Sequence, residues 1–163
     1  MESHERAFRR GMPLCLALIT ATYASALVVA THYPRPQVVI RSIIERPVIR
    51  QVITKPPSDK TLHLWAYAPL AALAGMTAAA SGWWSGRTCV GVAAGTALFA
   101  ALDEATQPLP WFRRTADLLD WGYDCLGIAL GLAVVALALG LARRLRPRAP
   151  AAPAQGPESG GRQ

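Results

Sequence analysis

The sequence predicts an all-α membrane protein: a bundle of about four transmembrane helices with one extracytoplasmic loop of about 30 residues. Three observations carry this. Hydrophobic residues make up 52% of the 163 and charged residues only 17%, which is not the balance of a soluble domain. The charges are segregated: histidines aside, none falls between Arg10 and Arg35, Lys60 and Arg87, Arg87 and Asp103, or Asp124 and Arg143. The polar residues that remain gather in short motifs at the ends of these four windows.

A spanning helix needs about 20 apolar residues, and the windows give spans at about 11–31, 62–83, 86–104 and 121–142, after a cytoplasmic N terminus over residues 1–10. Within the first span Ala24-Ser25-Ala26 fits a small-x-small cleavage site, but the apolar run continues through Leu27, Val28, Val29 and Ala30, long enough to span, so the segment is expected to be retained. The loop that follows is rich in β-branched residues and interrupted by Pro47. It is expected to form two short extended pieces, Val38 to Ile44 and Val48 to Ile53. The third window is the exception in length: Thr88 to Leu102 is 15 uncharged residues, roughly 22 Å of helix, so Asp103 and Glu104 are expected just inside the hydrocarbon boundary. The fourth span ends at a basic tail, residues 143–163, whose Pro, Ala and Gly content predicts disorder.

Basic residues divide almost evenly between the two sides of such a bundle. The tightest clusters, Arg9-Arg10 and Arg143-Arg144, flank the first and last spans, which favours both termini in the cytoplasm and the polar motifs facing outward. Most of the net charge of +7 lies beside spans, where anionic head groups attract arginine, so membrane lipids are the expected partners and nucleic acid is not. Cys15, Cys89 and Cys125 all fall within spans and read as small buried hydrophobes.

Lys60, His63 and Tyr67 stand at i, i+3 and i+7, one face of a helix over two turns, with Asp59 at its start where a carboxylate suits the dipole. Each alone has an ordinary explanation: a snorkelling lysine, a satisfied histidine, an interfacial aromatic. Two further motifs on the same side change the weighting. Asp103, Glu104 and Gln107 close the third span, while Asp117, Asp120 and Asp124 form an acidic stripe entering the fourth. A carboxylate at the depth of Asp124 needs a partner, and Lys60, His63 or an arginine is expected near it. Gly91-x-x-x-Gly95 and Gly127-x-x-x-Gly131 are expected to let the third and fourth helices approach closely.

At these residues the chain resembles the VanZ-like integral membrane proteins. Asp-Lys-x-x-His-x-x-x-Tyr opens one span and Asp-Glu-x-x-Gln closes the next. An arginine is then followed at +6 by Asp and at +13 by Gly. The resemblance covers Asp59, Lys60, His63, Tyr67, Asp103, Glu104, Gln107, Arg114, Asp117, Asp120, Gly127 and Gly131. Asp124 departs from the Asn usual in the family, and the doublet Arg113-Arg114 leaves two arginines for one position. The resemblance implies a bacterial cell-membrane (inner-membrane) protein of the envelope, with lowered susceptibility to teicoplanin-type glycopeptides as the family's name-giving association. The partner would then be a lipid-linked cell-wall precursor or the glycopeptide.

Three readings follow. In the first, a non-enzymatic envelope protein binds an anionic lipid head group or ligand through Lys60, His63 and an arginine. In the second, a membrane enzyme acts on lipid-linked substrates, with His63 as base and Glu104 or Asp120 as acid. In the third, the cluster is a latch between helices. No cofactor is expected: a divalent metal is compatible with the acids, but one histidine among them makes a poor transition-metal set, and no serine elbow, histidine pair or phosphate loop is present.

Overall fold

The computed structural model describes residues 2–33, 57–109 and 117–145, and the side chains from residue 11 onward within them. Among these residues it contains four helices: α1 (Glu2–Thr31), α2 (Asp59–Ala80), α3 (Gly86–Thr106) and α4 (Leu118–Leu145). Each contains a stretch long and apolar enough to cross a membrane, and no strand occurs among the described residues, so the chain is an all-α bundle of the multi-pass membrane type. The expected extended pieces at 38–44 and 48–53, and the tail beyond Leu145, lie outside the described residues.

The helix bounds follow local chemistry. Ser58 caps α2, its hydroxyl accepting from the Thr61 N–H at 3.2 Å, so α2 starts at Asp59 rather than at residue 62 and includes Lys60 in its first turn. It ends before Gly82, whose φ of 77° is left-handed and suited to glycine. Ser85 caps α3 in the same way through Thr88. Asp117 caps α4, its carboxylate accepting from the Leu119 N–H at 2.8 Å, which starts this helix three residues before the expected 121 and carries it to Leu145. The apolar part of α1, Gly11–Thr31, coincides with the expected span, although the helix itself begins at Glu2.

Contacts between opposite ends of the sequence, Thr31 with Asp103 and Lys60 with Asp117, bring the end of α1, the start of α2, the end of α3 and the start of α4 together. The four helices therefore run up, down, up and down. The largest interface is between α2 and α4, and α1 packs on α2 while α3 packs mainly on α4. Tyr67, Leu70, Ala71, Ala100, Ile128 and Leu132 form the core, to which α1 adds Leu27. Outward faces are apolar: Leu18, Trp65, Val90, Leu98, Val134 and Leu137 are all exposed, as lipid-facing side chains are.

The glycines correct one expectation. A Cβ at Gly127 would overlap the Leu64 carbonyl oxygen, and one at Gly131 the Ala68 carbonyl oxygen, so both glycines let α4 lie on the backbone of α2 rather than of α3. Gly91 and Gly95 have nothing within 4 Å of a built Cβ and face away from the bundle. Where α3 meets α4 the contact is made by larger groups, including Trp121, whose Nε1–H donates to the Ala97 carbonyl at 3.1 Å. We therefore expect Gly131→Leu to destabilise the protein by about 3 kcal/mol or more through overpacking, and Gly91→Leu to change stability by less than about 0.5 kcal/mol. Unfolding in detergent, followed by helix content against temperature, measures both.

Candidate functional site at the polar end of the bundle

The converging helix ends hold a polar cluster in place of an apolar core. His63, Asp103, Glu104, Gln107, Asp120 and Asp124 are buried, Gln107 and Asp124 with only 1% of their surface exposed. One turn along α2, Tyr67 is fully enclosed. Burial of this many ionisable groups is tolerated only where partners replace water.

Two sets of partners are visible. Between α2 and α4, Lys60 Nζ donates to Asp117 Oδ2 at 3.3 Å and to Asp120 Oδ1 at 3.2 Å, and lies 5.8 Å from the centre of the Tyr123 ring. His63 Nδ1 donates to Asp124 Oδ1 at 2.9 Å, while its Nε2 stands 3.8 Å from Asp120 Oδ2. The i, i+3, i+7 spacing on both helices makes this ladder: each basic group on α2 meets an acid one turn apart on α4. Asp117, just outside the apolar span, has its carboxyl held below the usual carboxylate range, first by the Leu119 N–H and then by Lys60.

The second set surrounds Asp103 on α3. Tyr67 O–H donates to its Oδ2 at 3.1 Å and Thr31 O–H to its Oδ1 at 2.9 Å, and His32 Nδ1 lies 3.4 Å from the same oxygen. His32 is itself buried, with Nε2 2.9 Å from the Thr106 hydroxyl. Thr31, His32 and Thr106 were not singled out by the motif spacing. The signal for His32 was present in the sequence, as an ionisable residue closing the first span on the side to which the other motifs return.

Of the residues expected to form the site, Asp59, Lys60, His63, Tyr67, Asp103, Glu104, Gln107, Asp117, Asp120 and Asp124 all lie at this end of the bundle. Arg114 lies outside the described residues. Lys60 and His63 serve the acids of α4, and the acid of α3 that is paired, Asp103, relies on hydroxyls and His32. Glu104 and Gln107 differ from the rest. Both oxygens of Glu104, both polar atoms of the Gln107 amide and Asp124 Oδ2 are buried with no hydrogen-bond partner. Each such group costs roughly 1–3 kcal/mol. Beside Glu104 a cleft of about 520 Å³ opens between α3 and α4, lined by Ala101, Ala105, Asp117, Leu118 and Trp121.

Chemically the arrangement can orient a histidine, bind a group rich in donors, or hold a cation. Comparison of the chain with protein-family models, with curated proteins and with solved structures gives no match.

The His63–Asp124 bond yields a direct test. Asp124→Asn keeps an acceptor oxygen for His63 Nδ1 and should lower stability by less than about 1 kcal/mol, whereas Asp124→Leu strands a buried imidazole and should cost about 3 kcal/mol or more. Thermal unfolding of the two purified variants in one detergent separates these outcomes.

Proposed function

We propose that the chain is a VanZ-like integral membrane protein whose polar cluster holds the head group of an envelope lipid or lipid-linked ligand, in cell-envelope homeostasis or glycopeptide resistance. The observation that carries this reading is the unpartnered pair Glu104 and Gln107, buried beside a cleft that opens between two lipid-facing helices. A ligand reaching that point laterally could lay its apolar chain along Ala101, Ala105 and Leu118 and present its head to the two side chains.

The geometry also bears on the chemistry of that head. Lys60 and His63, expected from sequence to contact an anionic group, are both engaged by acids of α4. What the cluster leaves over is the Glu104 carboxylate, one oxygen of Asp124 and both atoms of the Gln107 amide, so the fitting ligand group donates to the acids and can also accept from the Gln107 amide, as a hydroxyl does. The termini are placed in the cytoplasm and the cluster on the outer face, on the strength of the arginine clusters flanking the first and last spans.

One observation favours the enzymatic reading as second choice. Asp124 fixes His63 through Nδ1, which leaves Nε2 as the free base position facing Asp120, the arrangement of a carboxylate-oriented general base. Turnover of lipid-linked precursors by the purified protein, lost in His63→Gln, would promote it above the binding reading.

In a bacterial deletion strain, restoring the wild-type chain should shift susceptibility to teicoplanin-type glycopeptides, and Glu104→Leu should fail to do so while accumulating normally in the membrane. A profile unchanged across glycopeptides and other envelope stresses would remove the envelope reading. Reporter fusions after Arg148 and within residues 41–55 should report opposite sides of the membrane, with the former cytoplasmic.

A further inference from the structure

Within the cluster, His63 is the best-defined piece of geometry. Its Nδ1 is bound to Asp124 at 2.9 Å, which fixes the ring plane and turns Nε2 towards Asp120. The 3.8 Å from Nε2 to Asp120 Oδ2 is too long for a hydrogen bond. It falls in the range of roughly 3 to 4 Å expected for two ligand atoms sharing one cation at bonds of about 2.0–2.2 Å. Asp59, in the first turn of α2, supplies a third: one ligand atom from each of Asp59, His63 and Asp120 lies within 4.8 Å of the other two.

A second observation points to a ligand at the same place. Glu104 is 5% exposed, its oxygens make no well-formed hydrogen bond and have the Asp117 backbone N–H as their nearby donor, and it lies close enough to His63, Asp120 and Asp124 to interact electrostatically with all three. A carboxyl buried with so little donation beside two other acids takes up either a proton or a cation.

We infer that Asp59, His63 through Nε2, and Asp120 through Oδ2 form a divalent-cation site, with Asp124 orienting His63 from behind and Glu104 facing the ion. The carboxylate–histidine pair behind the ligand nitrogen is the arrangement that fixes tautomer and orientation at metal sites. A set with one imidazole and several carboxylates suits Mn²⁺ better than a softer ion. Lys60 occupies the other oxygen of Asp120, at 3.2 Å, and so leaves Oδ2 open. Its charge and the partial positive charges of the α2 and α4 N termini oppose a cation, but Asp59, Glu104, Asp117, Asp120 and Asp124 outnumber them. Asp59 is only half-buried, which gives a hydrated ion a way in.

The test is a Mn²⁺ titration of the full-length, chelator-treated protein in detergent, read by electron paramagnetic resonance. One equivalent should bind, and Asp59→Asn and His63→Gln should each weaken binding by about tenfold or more. Lys60→Gln should bind at least as tightly as wild type, since it removes a competing charge. Because His63→Gln also breaks a bond between helices, the deciding variant is Asp59→Asn, which leaves the α2–α4 ladder in place. Failure of the folded wild-type protein to bind Mn²⁺, or unchanged affinity in Asp59→Asn, overturns the site. The inference does not rest on the envelope reading: absent Mn²⁺ binding alongside an intact susceptibility phenotype would sink the cation site alone.

Discussion

The close approach of α2 and α4 is the constraint on which the polar end depends. Gly127 and Gly131 lie directly on the carbonyls of Leu64 and Ala68, so the two backbones meet with no side chain between them. Aspartate is a short side chain, and its reach sets the tolerance. His63 bonds Asp124 at 2.9 Å, one turn from the place where Gly127 lies on the Leu64 carbonyl, so the short aspartate reaches across where the backbones meet. A methyl group inserted at Gly131 would push the helices apart and lengthen every rung of the ladder at once. The small residues in the apolar half of the bundle thus govern the electrostatics of the other half.

A different principle holds α1. It contributes Leu27 to the core, with Tyr23 and Ala24 packed against it, and hydrogen bonds tie it down along its length. The Thr20 and Thr77 hydroxyls lie 3.2 Å apart, Tyr23 O–H donates to the Ala66 carbonyl at 2.9 Å, and Thr31 reaches Asp103. In a lipid environment apolar contact gives helices no hydrophobic reason to associate, since the tails are as apolar as leucine, and interhelical hydrogen bonds take over. Asp103 benefits in turn. A buried acid needs donors, and α1 and Tyr67 bring them without bringing an arginine.

How much of this could be read from sequence depended on the kind of signal. The four spans were legible because charge is excluded from hydrocarbon, and four uncharged windows can be seen without any structure. That the motifs return to one end followed from the parity of the span count. Asp103 and Glu104, which close the short third window, are buried near the end of α3. Partner choice was not legible. A small-xxx-small pattern says that a helix can be approached closely but not by which neighbour, so Gly127 and Gly131 were paired with α3 when they meet α2, and Gly91 and Gly95 serve no contact of that kind. Likewise the spacing of Lys60, His63 and Tyr67 identified a face, while the division of labour on it, two residues towards α4 and one towards α3, depends on helix rotation. His32 and Thr31 stand alone, outside any periodic motif, and spacing does not mark them.

The distinction between a latch and a site rests on α3. A latch evolved only to hold helices would satisfy its own polar groups, and the α2–α4 ladder does so for Lys60, Asp117, His63 Nδ1 and one oxygen each of Asp120 and Asp124. On α3 the pattern breaks: Asp103 is saturated with donors, and Glu104, the next residue, makes no side-chain hydrogen bond and has only the Asp117 backbone N–H near it. Gln107, one turn further, is enclosed and equally unpartnered. The same helix has the thinnest packing after α1, with Thr96, Ala100, Asp103 and Glu104 as its buried residues and its glycines turned outward. A loosely held helix is the cheapest one to displace, and unsatisfied acceptors on it repay displacement when a donor or cation arrives. Unmet hydrogen-bonding capacity and weak packing thus coincide at the cleft between α3 and α4, where entry from the bilayer would need the least rearrangement of the ladder behind it.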